Sequence, residues 1–410
     1  MKKSLSLLLA AALICTLAAG CGTEEALVQT APPTEVPAPL VLEDTPEVKQ
    51  YEGVKLTFHS RWGEDALDAG VLTQAAELFE ATTGAVVEIQ WQAGEGGDIF
   101  QLPASQLSQC QEQVLDLTQM AQAAGYESRS IECLVDLARS GEVLLAIPQT
   151  PYVSGFYYNR AVFEACGITE MPGTYDEFLN LCAALAAGGY SPLTLDTESA
   201  DELLALHLTQ YLGAEGAAQM LAKGGWTEDE LALQATVDIW DFVKAGYLTY
   251  ATPAAYPAGQ NRIGSSNSAM VYGTNALCAQ VEAQTMTEIS WGMFPYPGVA
   301  GAERIISVDA DVLAISSGCE NPQAAFDFIM LLVTGEFDQL RADVTNGIPA
   351  DPNNISPVAG AVEAMQVTQI VEPAQPALDD QQLSVVLKLW QGKYKENDDF
   401  AQAMDKLYVK

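Results

Sequence analysis

The segment KLTFHSRWGEDALDAGVLTQAAELFEATTGAVVEIQW, residues 55–91, determines the fold class of this chain. Its first residues alternate between apolar and polar, as in a strand, with Leu56 and Phe58 on the apolar face. Apolar residues then recur at helical spacing from Val71 to Phe79, and Gly84 is a typical helix C-terminal stop. Alternation returns over residues 87–91. The segment therefore predicts strand, helix and strand, the repeating unit of a parallel α/β sheet.

The rest of the chain continues to alternate between strands and helices. Short apolar runs predict buried strands at residues 143–148, 289–294 and 311–315. Capping boxes, in which a threonine is followed three residues later by a glutamate, predict helix starts at residues 174–177 and 227–230. Asn321-Pro322 predicts another helix, with Asn321 as N-cap and the proline at the first helical position.

The first 50 residues have a different composition. Two lysines precede an uncharged apolar run at residues 5–19, which fits a secretory signal and is too short to span a bilayer. The sequence LAAGC, ending at Cys21, resembles a bacterial lipobox, which implies cleavage before Cys21 and lipidation of its thiol; its leucine lies one position farther from the cysteine than usual. An ordinary secreted protein cut near Gly20 is the alternative. Proline, threonine and glutamate dominate residues 21–50, which predicts a disordered tether.

The charge of the chain restricts its partners. Its 410 residues include 18 Lys and Arg against 54 Asp and Glu, a net charge of −36, and loss of a leader with two lysines would make it −38. Such a charge repels phosphate backbones and anionic lipid heads, so we expect no nucleic-acid binding and a membrane tether made by the lipid alone. A neutral or cationic small ligand is favoured over a polyanion.

Cysteines and histidines give no sign of a metal site. Beyond Cys15 and Cys21, six widely spaced cysteines remain, with no C-x-x-C motif and only two histidines in the chain. Six cysteines allow fifteen disulfide pairings, and their apolar neighbours favour buried thiols instead. His59 and His207 are interpreted as structural. With no P-loop, nucleophile elbow or GxGxxG motif, we expect no cofactor and no catalysis.

From about Lys55 to the C-terminus, the order of these elements resembles the family-1 extracellular solute-binding proteins of ABC sugar importers, the class that includes maltose-binding protein. The resemblance is carried by several segments in order. These are LTFHSRWGED, LFEATTGAVVEIQW, GGDIFQL, AIPQTPYVSGFYYNRAVFEACGI, GTYDEFLNLCAALAAGGYSPL, SSNSAMVYGTN, WGMFPYPG and NPQAAFDFIMLLVTGE. Two departures concern the site: a helix usual in the family between Trp91 and Asp98 is missing, and Thr274-Asn275 replaces a common tryptophan.

The resemblance implies a two-lobe α/β fold of the type II periplasmic-binding-protein class. Crossover hinge strands join the lobes, and the ligand lies in the cleft between them. Lobe 1 would comprise residues 51–149 and 294–336, and lobe 2 residues 150–293, while residues 337–410 supply a hinge helix and the remainder of lobe 2. The chain would be a monomer, lipid-anchored on the extracellular face of a bacterial cytoplasmic membrane, delivering a mono- or oligosaccharide to ABC permease subunits.

Candidate ligand-binding residues follow from the rule that clefts form at the C-terminal ends of parallel strands. A sugar needs aromatic side chains against its ring faces and carboxylates, amides or arginine at its hydroxyls. This rule selects Arg61, Trp62, Glu64 and Asp65, directly after the first strand. Asp98 and Gln101 follow a glycine-rich loop, and Tyr152 lies in the first crossover. Tyr272 and Asn275 come at the end of a second-lobe strand, and Tyr296 and Asp309 complete the candidates. The alternatives are surface packing for Trp62, a solvated turn for Asp98 and Gln101, and hinge packing for Tyr152.

Two other functions remain open from the sequence. A surface glycoside hydrolase would use a carboxylate pair such as Glu64 with Asp98, although 54 acidic residues always offer some pair. A sensor lipoprotein would present its ligand to a histidine kinase instead of a permease.

Overall fold

The computed structural model describes residues 49–248, 253–265, 268–370 and 378–408. From Val48 onward the chain forms one compact unit. The predicted signal peptide, the lipidation site Cys21 and nearly all of the predicted tether lie outside the described residues. Within the described ranges, none of the helices has both the length and the apolar character that a membrane span requires.

Segment 55–91 folds as its pattern predicts. Strand β1 (Lys55–His59) leads into helix α1 (Ala69–Thr83) and then strand β2 (Val86–Gln90), which pairs with β1 in parallel. Gly84 ends α1 in the left-handed conformation, with φ of 84°, and its N–H donates to the Glu80 carbonyl. The prediction of a parallel α/β unit is confirmed.

Strands and helices alternate through the rest of the unit. The other strands are β3 (Ile99–Pro103), β4 (Arg139–Ser140), β5 (Val143–Leu144), β6 (Ile147–Asn159), β7 (Ser191–Thr194), β8 (Ser268–Thr274), β9 (Trp291–Phe294), β10 (Ile305–Ile306), β11 (Val308–Ile315) and β12 (Gln369–Ile370). The other helices are α2 (Thr118–Ala123), α3 (Glu132–Leu137), α4 (Arg160–Ala165), α5 (Tyr175–Ala187), α6 (Ala200–Lys223), α7 (Glu230–Lys244), α8 (Arg262–Ser265), α9 (Ala276–Thr285), α10 (Pro322–Val333), α11 (Gly335–Thr345), α12 (Ala361–Val367), α13 (Asp380–Trp390) and α14 (Asp399–Tyr408).

One sheet runs through the molecule in the order β2-β1-β3-β11-β6-β8-β7, and β9 also pairs with β6. Strand β6 belongs to both halves of this sheet: residues 147–153 pair with β11, while residues 154–159 pair with β8 and β9. The chain therefore crosses from one half to the other along β6 and returns through β9 to β11. This is the crossover arrangement of a two-lobe α/β fold, although the exact lobe boundaries stay a prediction.

Each half has its own apolar core. Phe58, Phe79 and Phe328 meet edge to face in lobe 1, with centroid distances of 5.3–6.0 Å among the contacting pairs. In lobe 2, Phe156 lies 4.8 Å from Phe178 and 5.2 Å from Phe294, all buried. Burying such rings is the main stabilising contribution to each lobe. A third apolar cluster lies between them, where Ile131 and Leu134 beside and in α3 pack with Tyr157 of β6 and Trp291 of β9.

The predicted helix starts have mixed outcomes. At α5, Thr174 and Glu177 form both reciprocal bonds of a capping box, which confirms that prediction. The capping box predicted at residues 227–230 is wrong, because Asp229 caps α7 while the Thr227 hydroxyl is bonded to Asp405. Pro322 starts α10 as predicted, but the Asn321 side chain makes no capping bond.

The six cysteines of the described part are free thiols, and Cys110, Cys182 and Cys278 are buried. Burial raises the pKa of the Cys278 thiol well above its ordinary value, so it behaves as a small apolar side chain. Both histidines have internal partners: the His59 ring lies 3.0 Å from the Gly94 carbonyl, and the His207 ring lies 2.6 Å from the Tyr296 hydroxyl. This agrees with the structural interpretation of the two residues.

Candidate functional site

Asp311 is the centre of the candidate site. Its carboxylate is fully buried on β11 and accepts three hydrogen bonds from side chains distant in sequence. Arg61 donates at 2.5 Å, the Trp62 indole N–H at 2.8 Å and the Tyr152 hydroxyl at 3.0 Å. We call Asp311 and these three donors the Asp311 cluster. Three of its four members were expected at a ligand site, whereas Asp311 was expected only as the start of a strand.

Sheet topology brings the Asp311 cluster together. Strand β1 ends at His59, and the loop that follows carries Arg61 and Trp62. Strand β3 lies parallel to β1 and antiparallel to β11, with Pro103 opposite Asp311, so Asp311 stands at the edge where β1 and β3 end. On its other side β11 pairs with β6, which supplies Tyr152. The cluster therefore occupies the C-terminal edge of the parallel strands, the usual ligand position in α/β lobes.

Local hydrogen bonds fix the conformation of the loop that follows β1. The Trp62 N–H donates to the Ser60 hydroxyl at 3.1 Å, and the Trp62 carbonyl accepts from the Gln92 N–H at 2.9 Å. The Arg61 guanidinium lies 4.6 Å from the centroid of the Trp62 ring, a cation–π contact. Although its indole nitrogen is bonded, Trp62 remains 41% exposed. The loop thus presents an aromatic surface with fixed polar groups beside it.

The electrostatics of the cluster suit an uncharged polar ligand. The Arg61 cation balances the buried Asp311 anion, as buried charges require. Burial, followed by the Asp311 charge, raises the pKa of Tyr152 far above its ordinary value, so the phenol remains a donor at any physiological pH. Glu64 and Asp65 are exposed on the same loop, where their carboxylates can accept hydrogen bonds.

Asp309 and Gln101 lie near the cluster with different surroundings. Asp309 is opposite Tyr152 across the β11–β6 pair, and the Ser105 hydroxyl donates to its carboxylate at 3.4 Å. A groove of about 860 Å³ begins beside Asp309 and runs past the segment that follows β3 toward α3. Gln101 is 8% exposed, and its amide donates to Gln149 at 2.8 Å. Gln101 is therefore a buried neighbour of the site, not the solvated turn considered as its alternative.

The structure places Asp98 away from the cluster. Asp98 precedes β3, at the opposite end of that strand from Pro103 and Asp311. Its carboxylate accepts the Thr57 N–H at 2.8 Å, and its own N–H donates back to the Thr57 carbonyl. Asp98 thus ties β1 to β3, and its role in ligand binding stays a prediction. Glu64, the partner of Asp98 in the hydrolase alternative, lies on the loop that follows β1.

Three further predicted residues, Tyr272, Asn275 and Tyr296, are buried, and their polar groups are bonded within the protein. Tyr272 is 1% exposed and donates to Glu202 at 3.2 Å, while Tyr296 is 5% exposed and bonded to His207. The Asn275 amide accepts the Val153 N–H at 2.9 Å and donates to the Pro151 carbonyl at 3.0 Å. In this structure the three side chains serve internal contacts, and their binding of a ligand stays a prediction. Asn275 fastens the end of β8 to the crossover strand β6.

The lobe-2 edge of the sheet is organised by a residue that the sequence analysis missed. Asp196 follows β7, is 3% exposed, and accepts the N–H groups of Gly259 and Gln260 at 2.8 and 2.9 Å. It thereby fixes the loop at residues 253–261 to the end of β7. An Asp after an apolar strand was the available signal, but the partner loop is about 60 residues away. Among the described residues, no group of histidines, cysteines and acids is arranged to hold a metal ion.

Comparison with known proteins agrees with this architecture. A family described as bacterial extracellular solute-binding protein matches residues 63–334. The erythritol/L-threitol-binding protein of Mycolicibacterium smegmatis (strain ATCC 700084 / mc(2)155) is 25% identical over 205 residues, 48% of this chain and 42% of that protein. The chain thus matches about two fifths of the length of this curated relative.

Solved structures share the fold over most of the chain. The apo form of RafE from Streptococcus pneumoniae has a TM-score of 0.68 at 16% identity and covers 88% of this chain and 98% of its own. A chitin oligosaccharide binding protein has a TM-score of 0.59 at 21% identity and covers 87% and 98%. Identities this low establish the fold alone. Since the family match covers more than half of the chain, this protein belongs to the bacterial extracellular solute-binding proteins, as its resemblance predicted.

Proposed function

We propose that the protein captures a small uncharged ligand, a mono- or oligosaccharide, between its two lobes and delivers it to the permease of an ABC importer. It acts from the extracellular face of the bacterial cytoplasmic membrane, anchored by a lipid on Cys21. Binding closes the lobes and release opens them, with no covalent bond changed. The lobe boundaries are those given above from the sequence.

The Asp311 cluster is the observation that carries this proposal. The buried Asp311 carboxylate fixes an exposed aromatic face on Trp62 beside the part-exposed Arg61 guanidinium and the Tyr152 phenol. A sugar ring has an apolar face edged by hydroxyl groups, so it matches an aromatic face surrounded by donors and acceptors. Because the polar groups are already bonded to one another, little side-chain entropy is lost when a ligand arrives.

Known relatives support a carbohydrate over other neutral solutes. Structures sharing this fold include RafE in complex with raffinose and a maltose-bound MalE3 of T. maritima. The curated relative is named for two sugar alcohols, erythritol and threitol. These compounds share several hydroxyl groups and the lack of charge, which is the chemistry that the cluster fits.

Closure follows from the strands that join the lobes. Strand β6 is paired to β11 in one half and to β8 and β9 in the other, so bending near residue 153 rotates one core relative to the other. A ligand touching both walls favours the closed arrangement only by its additional contacts there. The cluster lies beside this crossover, because Tyr152 is a residue of β6.

A thermal-shift screen tests the proposed function. The wild-type protein is mixed with maltose, raffinose, chitin oligosaccharides and erythritol, and separately with peptides and polyamines as non-carbohydrate controls. We expect at least one carbohydrate to raise the melting temperature, and a Trp62→Ala variant to lose most of that shift. Stabilisation by peptides or amines but by no carbohydrate would remove the sugar assignment.

The anchor and the permease need separate tests. Labelling with an alkyne fatty acid should mark the wild-type protein and leave Cys21→Ser unmarked. Deletion of the gene should abolish uptake of the carbohydrate that binds, if the protein serves an importer. Retained uptake together with a lost transcriptional response to that carbohydrate would favour the sensor alternative instead.

A further inference from the structure

Exposed aromatic side chains are rare in this protein. Among the described residues only Trp62 and Tyr256 are exposed, at 41% and 49%, while the other tryptophans, tyrosines and phenylalanines are buried or half-buried. Single exposed apolar side chains are ordinary on protein surfaces, so the position of each ring, not its exposure alone, indicates whether it can meet a ligand. Trp62 already belongs to the Asp311 cluster, and Tyr256 was not predicted from the sequence.

Tyr256 occupies the same topological position in lobe 2 that Trp62 occupies in lobe 1. Its loop is fastened to the segment that follows β7: the Thr197 N–H donates to the Ala254 carbonyl at 2.9 Å, and the Ala254 N–H donates to the Leu195 carbonyl at 3.1 Å. The two segments continue the parallel pairing of the sheet beyond the end of β7. Tyr256 therefore lies at the C-terminal edge of the lobe-2 strands, where ligands bind in such sheets.

The ring of Tyr256 is held at both ends while a face remains open. Its backbone N–H donates to the Glu198 carboxylate at 3.1 Å, and its hydroxyl donates to the Gln280 amide oxygen on α9 at 2.6 Å. The buried Asp196 secures the same loop through two backbone bonds. A ring fixed in this way costs little entropy to cover, because its rotamer is already selected. Loop packing alone does not require half of the ring to stay in water.

We propose that Tyr256 is the stacking surface of lobe 2, against which a sugar ring packs when the lobes close, with the Glu198 carboxylate accepting hydroxyl hydrogen bonds at its edge. This inference rests on the proposed carbohydrate function. The two exposed aromatic side chains then serve one ligand from opposite walls. The specificity of the site for sugars with an apolar ring face comes from both lobes.

Isothermal titration with the carbohydrate that most stabilises the wild-type protein, chosen from maltose, raffinose and chitin oligosaccharides, tests the inference. Tyr256→Ala should weaken binding about 10-fold, since it removes the stacking face. Tyr256→Phe keeps the face and should bind within about twofold of the wild type. Leu231→Ala, which trims an exposed apolar side chain on α7, is the matched surface control and should not change the affinity.

The possible results separate the two claims. Equal affinity of Tyr256→Ala and the wild type, with Trp62→Ala weakened, would overturn the role of Tyr256 and leave the proposed function standing. Equal losses in Tyr256→Phe and Tyr256→Ala would also overturn it, because the hydroxyl, not the ring face, would then matter. A wild-type protein that binds no carbohydrate would remove both claims. Melting curves identify any variant whose loss reflects unfolding.

Discussion

Asp311→Asn tests most directly whether the Asp311 carboxylate holds the three donors of the cluster in place. The side chain keeps its shape but loses its charge. An NH₂ group, which donates hydrogen bonds and does not accept them, replaces one carboxylate oxygen. Arg61, Trp62 and Tyr152 all donate to the present carboxylate, at 2.5, 2.8 and 3.0 Å. After the change at least one of them faces another donor, and Arg61 loses its counter-charge.

The expected cost follows from these contacts. Hydrogen bonds to a charged group contribute about 1.5–3 kcal/mol each, against about 1 kcal/mol for neutral ones. Breaking a fully buried ion pair costs about 3–5 kcal/mol, but the Arg61 side chain is 33% exposed and regains water. We therefore expect the free energy of unfolding to fall by about 2–3 kcal/mol. At about 2–4 °C per kcal/mol, the melting temperature falls by about 4–12 °C.

Urea denaturation followed by circular dichroism measures this loss, and Asp309→Asn is the matched control. Asp309 is on the same strand two residues earlier, is only half-buried, and accepts one side-chain bond, from Ser105 at 3.4 Å. The control should therefore stay within about 0.5 kcal/mol of the wild type. If Asp311→Asn proved as mild as Asp309→Asn, the three hydrogen bonds would not hold the cluster together and our reasoning would fail.

Three further predictions concern the frame around the site. Asn275→Ala should lower the unfolding free energy by about 2 kcal/mol, because the buried Val153 N–H loses its acceptor. Asn353→Ala, at an exposed asparagine, is the control and should have little effect. Equal losses of the two variants in urea denaturation would contradict this prediction. Backbone N–H groups of Gly173 and Thr174 hold the pKa of Glu177 below its ordinary value, so the stability difference between wild type and Glu177→Gln should be full at neutral pH. That difference should shrink as pH falls below about 4.3 and through the lowered pKa, and a difference independent of pH would count against the capping bonds. Finally, a Cys21→Ser protein without its leader should show six reactive thiols per chain in a thiol titration when it is denatured without reductant. A lower number would indicate disulfides.

Local patterns predicted the elements of the fold well. The alternation around Leu56 and Phe58, the spacing in α1 and the Thr174 capping box depend on neighbours within a few residues. The capping box at Thr227 was wrong for a non-local reason: Asp405, far along the chain, accepts the Thr227 hydroxyl and the backbone N–H groups of Gly225, Trp226 and Thr227.

The site was predicted only on its lobe-1 side. Arg61 and Trp62 follow from the rule on strand ends and Tyr152 from its place in the first crossover, and the structure brings the three together. Asp311 was missed because its partners are about 160 to 250 residues away, and only the register of β11 reveals the contact. The backbone contacts of Asn275 were not predicted, because an amide at the end of a strand can bind a ligand or a neighbouring backbone, and the sequence alone does not distinguish the two.

The bonds from Asn275 to Pro151 and Val153 also mark a point about which the two halves can rotate. They bond to β6 on either side of Tyr152, so we expect rotation between the two halves to occur at this short stretch of strand. A turn of about 10° there displaces the tip of a strand six residues away, roughly 20 Å, by roughly 3 Å. Tyr152 touches Asp311 at that same point. In the proposed closure, a small rotation beside Tyr152 therefore becomes a displacement of several ångströms at the far ends of the strands.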